Sequence, residues 1–182
     1  MTGRSCASRP LVVFTLAAAV AGCGEDRAPR RVPADGAPCS AVMPGPATSG
    51  EKAIRLDAVG LTERSWTLLP PQPRADAPKA TTVYFVRRGD LPAGSALRDA
   101  ALLDAAAARV ARGVALQDGT KPRVARVATG VGEAVELRWE TGTLHNATRL
   151  LLAPGGYCEV TILRAPADAD VTSYFASVLL RP

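Results

Sequence analysis
Apolar residues in this chain recur first at every second position and later at helical spacing, and each change of period marks an element. In AIRLDAV, Ile54, Leu56 and Ala58 alternate with Arg55 and Asp57, and Gly60 turns the chain into RSWTLL, which predicts a first antiparallel pair. PPQPRADAP, with almost nothing to bury, reads as a surface loop. TTVYFVR at 81 to 87 is dense in β-branched and aromatic residues, the composition of a strand buried on both faces.

The period changes in SALRDAALLDAAAARVARG, where Leu103, Ala107, Val110 and Val114 fall on one helical face. Ser95 is placed to cap this helix, Asp99 suits its positive end, Arg109 and Arg112 its negative end, and Gly113 its stop. The run of alanines implies close packing on a sheet. After LQDGTKP the strands return with RVARVAT and a Gly-rich turn. EAVELRWE then alternates Val135, Leu137 and Trp139 with Glu136, Arg138 and Glu140. Gly142 leads into TLHNATRLLLA, and the PGG at 154 to 156 makes a hairpin with YCEVTILRA. Val171, Tyr174, Phe175, Val178 and Leu179 follow the i, i+3, i+4, i+7, i+8 rule of a closing helix, capped by Asp168 or Asp170. Three strands, a helix, four strands and a helix, joined by hairpins, predict an α+β fold: an antiparallel β-sheet with helices packed on it.

The front of the chain differs. LVVFTLAAAVA at 11 to 21 would span only ~16 Å as a helix, against a hydrocarbon core of ~30 Å, so it is too short to cross a membrane. Arg4 and Arg9 precede it and small residues close it, the order of an export signal. The closing Val20-Ala21-Gly22-Cys23 resembles the lipobox of bacterial lipoproteins, with Val20 where Leu is more usual. The resemblance implies cleavage between Gly22 and Cys23 and a diacylglyceryl group on the Cys23 sulfur. Two acyl chains anchor a protein stably, at ~0.8 kcal/mol per buried methylene. The plain alternative is an ordinary secretory signal with Cys23 a spare cysteine. The expected division is a signal peptide at 1–22, a lipidated flexible tether at 23–38 and a globular domain at 39–182. The body is thereby placed in the cell envelope, on the outer face of the cytoplasmic membrane or at the outer membrane. Arg27, Arg30 and Arg31 in the tether would contribute about 1 kcal/mol each beside anionic headgroups, or lie solvated.

Composition narrows this further. The formal charge of +5 falls by two when Arg4 and Arg9 leave, too mild a balance to demand a polyanion. Only three of the 22 basic residues are lysines, and no reader motif or aromatic interleaving accompanies the arginines, so nucleic acid is not expected as a partner. Once Cys6 is cleaved off and Cys23 acylated, Cys39 and Cys158 remain of the four cysteines, and in an oxidising compartment they pair naturally. Closing so long a loop stabilises by up to roughly 5 kcal/mol. A catalytic redox pair is the other reading, although such dithiols usually sit in CxxC.

Three stretches also resemble the PsbP-like family: MPGPA at 43 to 47, VYFVR at 83 to 87, and the ending YCEVTILRAPADADVTSYFASVLL with its Ser177, Val178 and Leu180. In the first, Met43 replaces the family's aromatic. The resemblance implies an α/β/α sandwich over residues 40 to 182 and a habit of binding other proteins, and it supplies no catalytic residues.

Chemistry is sparse. His145, the single histidine, lies in a predicted strand without neighbours at metal-ligand spacing, so neither a metal site nor a cofactor is expected. A Ser-His-Asp triad would have to use it, without a nucleophile elbow to support the idea. Asn146-Ala147-Thr148 matches a glycosylation sequon within a strand. Two function classes follow: a noncatalytic binding or assembly module at the membrane, showing a sheet face or the 70–80 loop to an envelope protein, or a cell-envelope hydrolase using His145.

Overall fold
The computed structural model describes residues 28–33, 37–69 and 81–181, so the expected lipidation of Cys23, the signal segment and the 70–80 loop fall outside the described residues. The elements in chain order are β1 (Arg30–Val32), β2 (Cys39–Met43), β3 (Thr48–Leu56), β4 (Val59–Leu68) and β5 (Val83–Asp90), then α1 (Asp99–Asp118). They continue with β6 (Arg123–Thr129), β7 (Gly132–Thr141), β8 (Leu144–Ala153), β9 (Gly156–Ala165), α2 (Asp168–Ala176) and β10 (Leu179–Leu180).

Seven strands form one antiparallel sheet in the order β3-β4-β5-β9-β8-β7-β6, and β1-β2-β10 form a second. The chain works inward from one edge through β3, β4 and β5. It then crosses to the far edge by way of α1 and folds back through the hairpins β6 to β9 until β9 lies beside β5. Turn glycines at 132, 142 and 155 take positive φ, which lets these hairpins close tightly.

Both faces of the large sheet are covered, by different means. On one, α1 sets Leu103, Ala106 and Val114 into a cluster with Val135, Leu137 and Leu150. On the other, Val171 and Phe175 of α2 and Met43 of β2 share a core with Val86, Val160 and Ile162.

This overturns the expected fold class. Strands make up 53% of the described residues, in antiparallel sheets of three and seven strands beside only two helices, so the molecule is β-rich and not an α+β or α/β/α sandwich of helices packed on a sheet. The physical reason lies in the second layer. Arg30–Val32, within the expected tether, pairs with β2, and Leu179, the last residue of the expected helix, pairs with Ser40 while the following Leu180 pairs with Cys39. Much of the second face is therefore covered by a small sheet, and α2 is only nine residues long.

Helix ends also differ from expectation. α1 starts at Asp99 without a side-chain cap and runs through Gly113 to Gly119, whose φ of 64° makes it the true stop. Ser95 instead accepts a hydrogen bond at Oγ from Leu97 N, 3.3 Å away. α2 has Ala167 as its cap position, with Asp168 and Asp170 inside the first turn. It ends where the Ser177 hydroxyl donates to Tyr174 O at 2.7 Å and accepts from Val42 N at 2.9 Å, so the exit strand is tied to β2.

Candidate functional site
Two regions of the large sheet concentrate charge. The first lies beneath α1, where antiparallel register sets Lys52, Glu63, Gly89 and Tyr157 side by side on neighbouring strands. Gly89 is required here, because a Cβ at that position would overlap the Tyr157 ring. With no side chain below it, Tyr157 is wholly buried, and its hydroxyl donates to Glu63 Oε2 at 3.1 Å.

Arg109 reaches down from α1 to Glu63 and stands 3.5 Å from Glu159 Oε2. Arg87 pairs with the other oxygen of Glu159, which also accepts from the Thr161 hydroxyl at 3.2 Å. Lys52 Nζ lies 3.2 Å from Glu63 Oε1, an ion pair that lacks the direction of a hydrogen bond. Both glutamates are almost fully shielded from solvent. Burial alone would lower the Arg109 pKa, but the carboxylates of Glu159 and Glu63 outweigh it and the net shift is upward. Burial pushes the Tyr157 hydroxyl far above its ordinary value, so it acts as a neutral donor. Every ionised group here faces an opposite charge, which is how a sheet interior tolerates carboxylates.

The second region is an open groove of 1150 Å³ on the opposite face, between the β6 edge and the start of α2. Cross-strand register lays out its floor: Arg123 faces Arg138, Ala125 faces Glu136, and Glu140 faces His145. Glu136 accepts from Arg149 Nε at 3.0 Å and Nη2 at 2.6 Å and also from Arg138, which pairs in turn with Asp168. Burial acts to raise the Glu136 pKa, but its hydrogen bonds to Arg138 and Arg149 more than offset this and leave it below the ordinary value of 4.5. The Arg149 guanidinium also stacks over the Phe175 ring, 4.4 Å from its centre. Arg138 and Arg149 are therefore held, whereas Lys121 and Arg123 pair with no acid among the described residues.

His145 lies on this groove, partly exposed, its Nδ1 3.8 Å from Glu140 Oε1. The hydroxyl residue lining the same groove is Thr120. Among the described residues no three of His, Cys, Asp and Glu gather as metal ligands. Asn146, the sequon residue, is buried at a bulge in the pairing of β8 with β9. Its Oδ1 accepts from Arg164 N at 2.8 Å and its Nδ2 donates to Thr141 Oγ1 at 3.2 Å, so its amide is committed to the fold.

Cys39 and Cys158 form a disulfide with a Cα separation of 5.8 Å, linking β2 to the middle of the large sheet. Arg31 is not a free tether charge, because its Nη1 donates to Ser177 O at 3.0 Å. Sequence reading missed the pairing of Arg123 with Arg138, with Lys121 on the same groove. Only the register of β6 on β7 brings residues so far apart in the chain into one row; the alternation of RVARVAT was visible, its neighbours were not. Searches found no matching protein-family model, no matching curated protein and no matching solved structure.

Proposed function
We propose that this chain is an extracytoplasmic lipoprotein, anchored through Cys23, whose body serves as a noncatalytic binding or assembly module for a protein partner in the bacterial cell envelope. The observation that carries this reading is the Cys39–Cys158 disulfide within the core, a bond that oxidising compartments sustain and the reducing cytosol does not. It agrees with an export signal ending in Val20-Ala21-Gly22-Cys23. The β6 groove adds support as a recognition surface, because it is concave, mixes apolar and charged walls, and keeps two cations uncommitted.

The test has two parts. Mass spectrometry of the protein from its native envelope is expected to find the first residue as Cys23 bearing a thioether-linked diacylglyceryl group, and Cys23→Ser is expected to release the body from the membrane fraction. An unmodified, freely secreted chain would refute the anchor. Crosslinking in the envelope is expected to capture a protein partner, and serine-hydrolase probes are expected to leave the chain unlabelled. Labelling that disappears in His145→Ala would replace this reading with the hydrolase.

A further inference from the structure
β6 is the last strand of the large sheet and pairs only with β7 among the described residues, so half of its backbone donors and acceptors point outward. Its two sides are unlike. Toward the groove it presents Arg123 and Ala125, opposite Arg138 and Glu136; toward α1 it presents Val124 and Arg126, opposite Leu137 and Val135.

Arg123 directly across from Arg138 is a like-charge pairing, which disfavours the sheet unless an anion lies between. Arg138 has Glu136 and Asp168, while Arg123 and the nearby Lys121 have no acid among the described residues. On the α1 side the charge is already satisfied, since Arg126 bonds Asp104 at 2.6 Å and Glu133 at 2.7 Å, but Val124 is left 56% exposed. A strand added beside β6 would set its alternate side chains against these two surfaces in turn.

We propose that β6 receives an extended segment of a partner protein as an eighth strand, with acidic side chains toward Arg123 and Lys121 and apolar side chains toward Val124. This rests on the binding-module reading and names the partner's chemistry. A second copy of this chain fits poorly, because β6 carries Arg123 and Arg126 and no acid, so edge-to-edge pairing would bring like charges together. The opposite edge is guarded differently. β3 carries Glu51, Lys52 and Arg55, with Lys52 turned inward to Glu63, a pattern that discourages added strands.

The probe is a fluorescent peptide alternating Glu and Val, matched to the seven residues of β6, titrated against the full chain in detergent. Binding is expected, with slowed amide exchange over residues 123–129, while a Lys-Val alternation does not bind. Arg123→Glu combined with Lys121→Glu, both at the surface, is expected to weaken the Glu-Val peptide at least about tenfold with an unchanged melting temperature. Of two peptides N-methylated on alternating sets of amides, one is expected to lose binding, because one set carries the pairing bonds.

Protection elsewhere in the chain, affinity indifferent to the charge reversal, or equal tolerance of both methylation patterns would overturn the proposal. So would protection of 123–129 that rises with protein concentration alone, or that vanishes when the residues before Ala28 are removed, since the edge would then hold a second copy or the chain's own start. The two readings fail separately. An inert peptide beside a crosslinked envelope partner overturns strand docking alone. A peptide that binds β6 in a protein with no envelope partner supports the docking chemistry and refutes the module.

Discussion

Beneath α1, Glu63 and Glu159 are enclosed by Arg109, Arg87 and Lys52; at the β6 end of the same sheet, Arg123 and Lys121 look into a groove with no acid of their own. Both regions are built on cross-strand rows, and both are rich in charge. They differ in closure. In the first the carboxylates are sealed under a helix, so desolvation forces each of them to find a partner within the fold. The second is open to water, so a cation can remain unpaired at little cost and be available to something arriving from outside. Charge density alone thus does not distinguish the two regions; the state of pairing does.

The largest effect is expected at Arg109. Arg109→Ala leaves Glu63 and Glu159 without their bridging cation and is expected to cost about 3–5 kcal/mol in chemical denaturation. A loss below about 1 kcal/mol would mean the enclosed cluster is not what holds α1 to the sheet. Next comes the disulfide on the other face. Replacing Cys39 and Cys158 with Ser is expected to cost about 2–4 kcal/mol, and to add to the Arg109→Ala loss because the two sites share no partners. Strong non-additivity would show that the faces of the sheet are coupled.

A smaller effect sharpens the groove. Because Glu136 has a pKa below 4.5 in the folded protein, its contribution is present above that value and is lost as pH falls through the folded one. Glu136→Gln is therefore expected to be less stable than the natural protein at neutral pH, with the gap narrowing in titrations carried below pH 4.5. A gap that stays constant with pH would assign the loss to packing. The smallest change is expected at the edge. Arg123→Ala should alter stability by no more than about 0.5 kcal/mol, or raise it slightly by relieving Arg138; a larger loss would show that Arg123 has structural work within the fold.

What the sequence revealed followed the length of its patterns. The hairpins from β6 to β9 were legible because each strand runs for seven to ten residues between turn signals, long enough for alternation to show. β1, β2 and β10 span three, five and two residues, too few for any period, and their pairing is set by tertiary contacts such as Ser177 on Val42. That is why a helical layer was expected where a small sheet lies. Gly113 carries the same local signal as Gly119, and only packing decides which one ends α1. Of the site residues, Cys39 and Cys158 could be paired by elimination, and His145 was correctly placed on a strand. The enclosed glutamates and the free cations were invisible, because both depend on which strands become neighbours.

The covalent link between β2 and β9 also fixes how the molecule would bear load. Tension applied ahead of Ala28 passes through β1 and β2 in shear, then crosses from Cys39 to Cys158 into the middle of the seven-stranded sheet. When the opposing pull is applied beyond Cys158, the chain between the two cysteines is bypassed and cannot be drawn out. β6 lies inside that closed loop, so a pull on β6 would reach the disulfide through β7, β8 and β9 and would load those hairpins in turn.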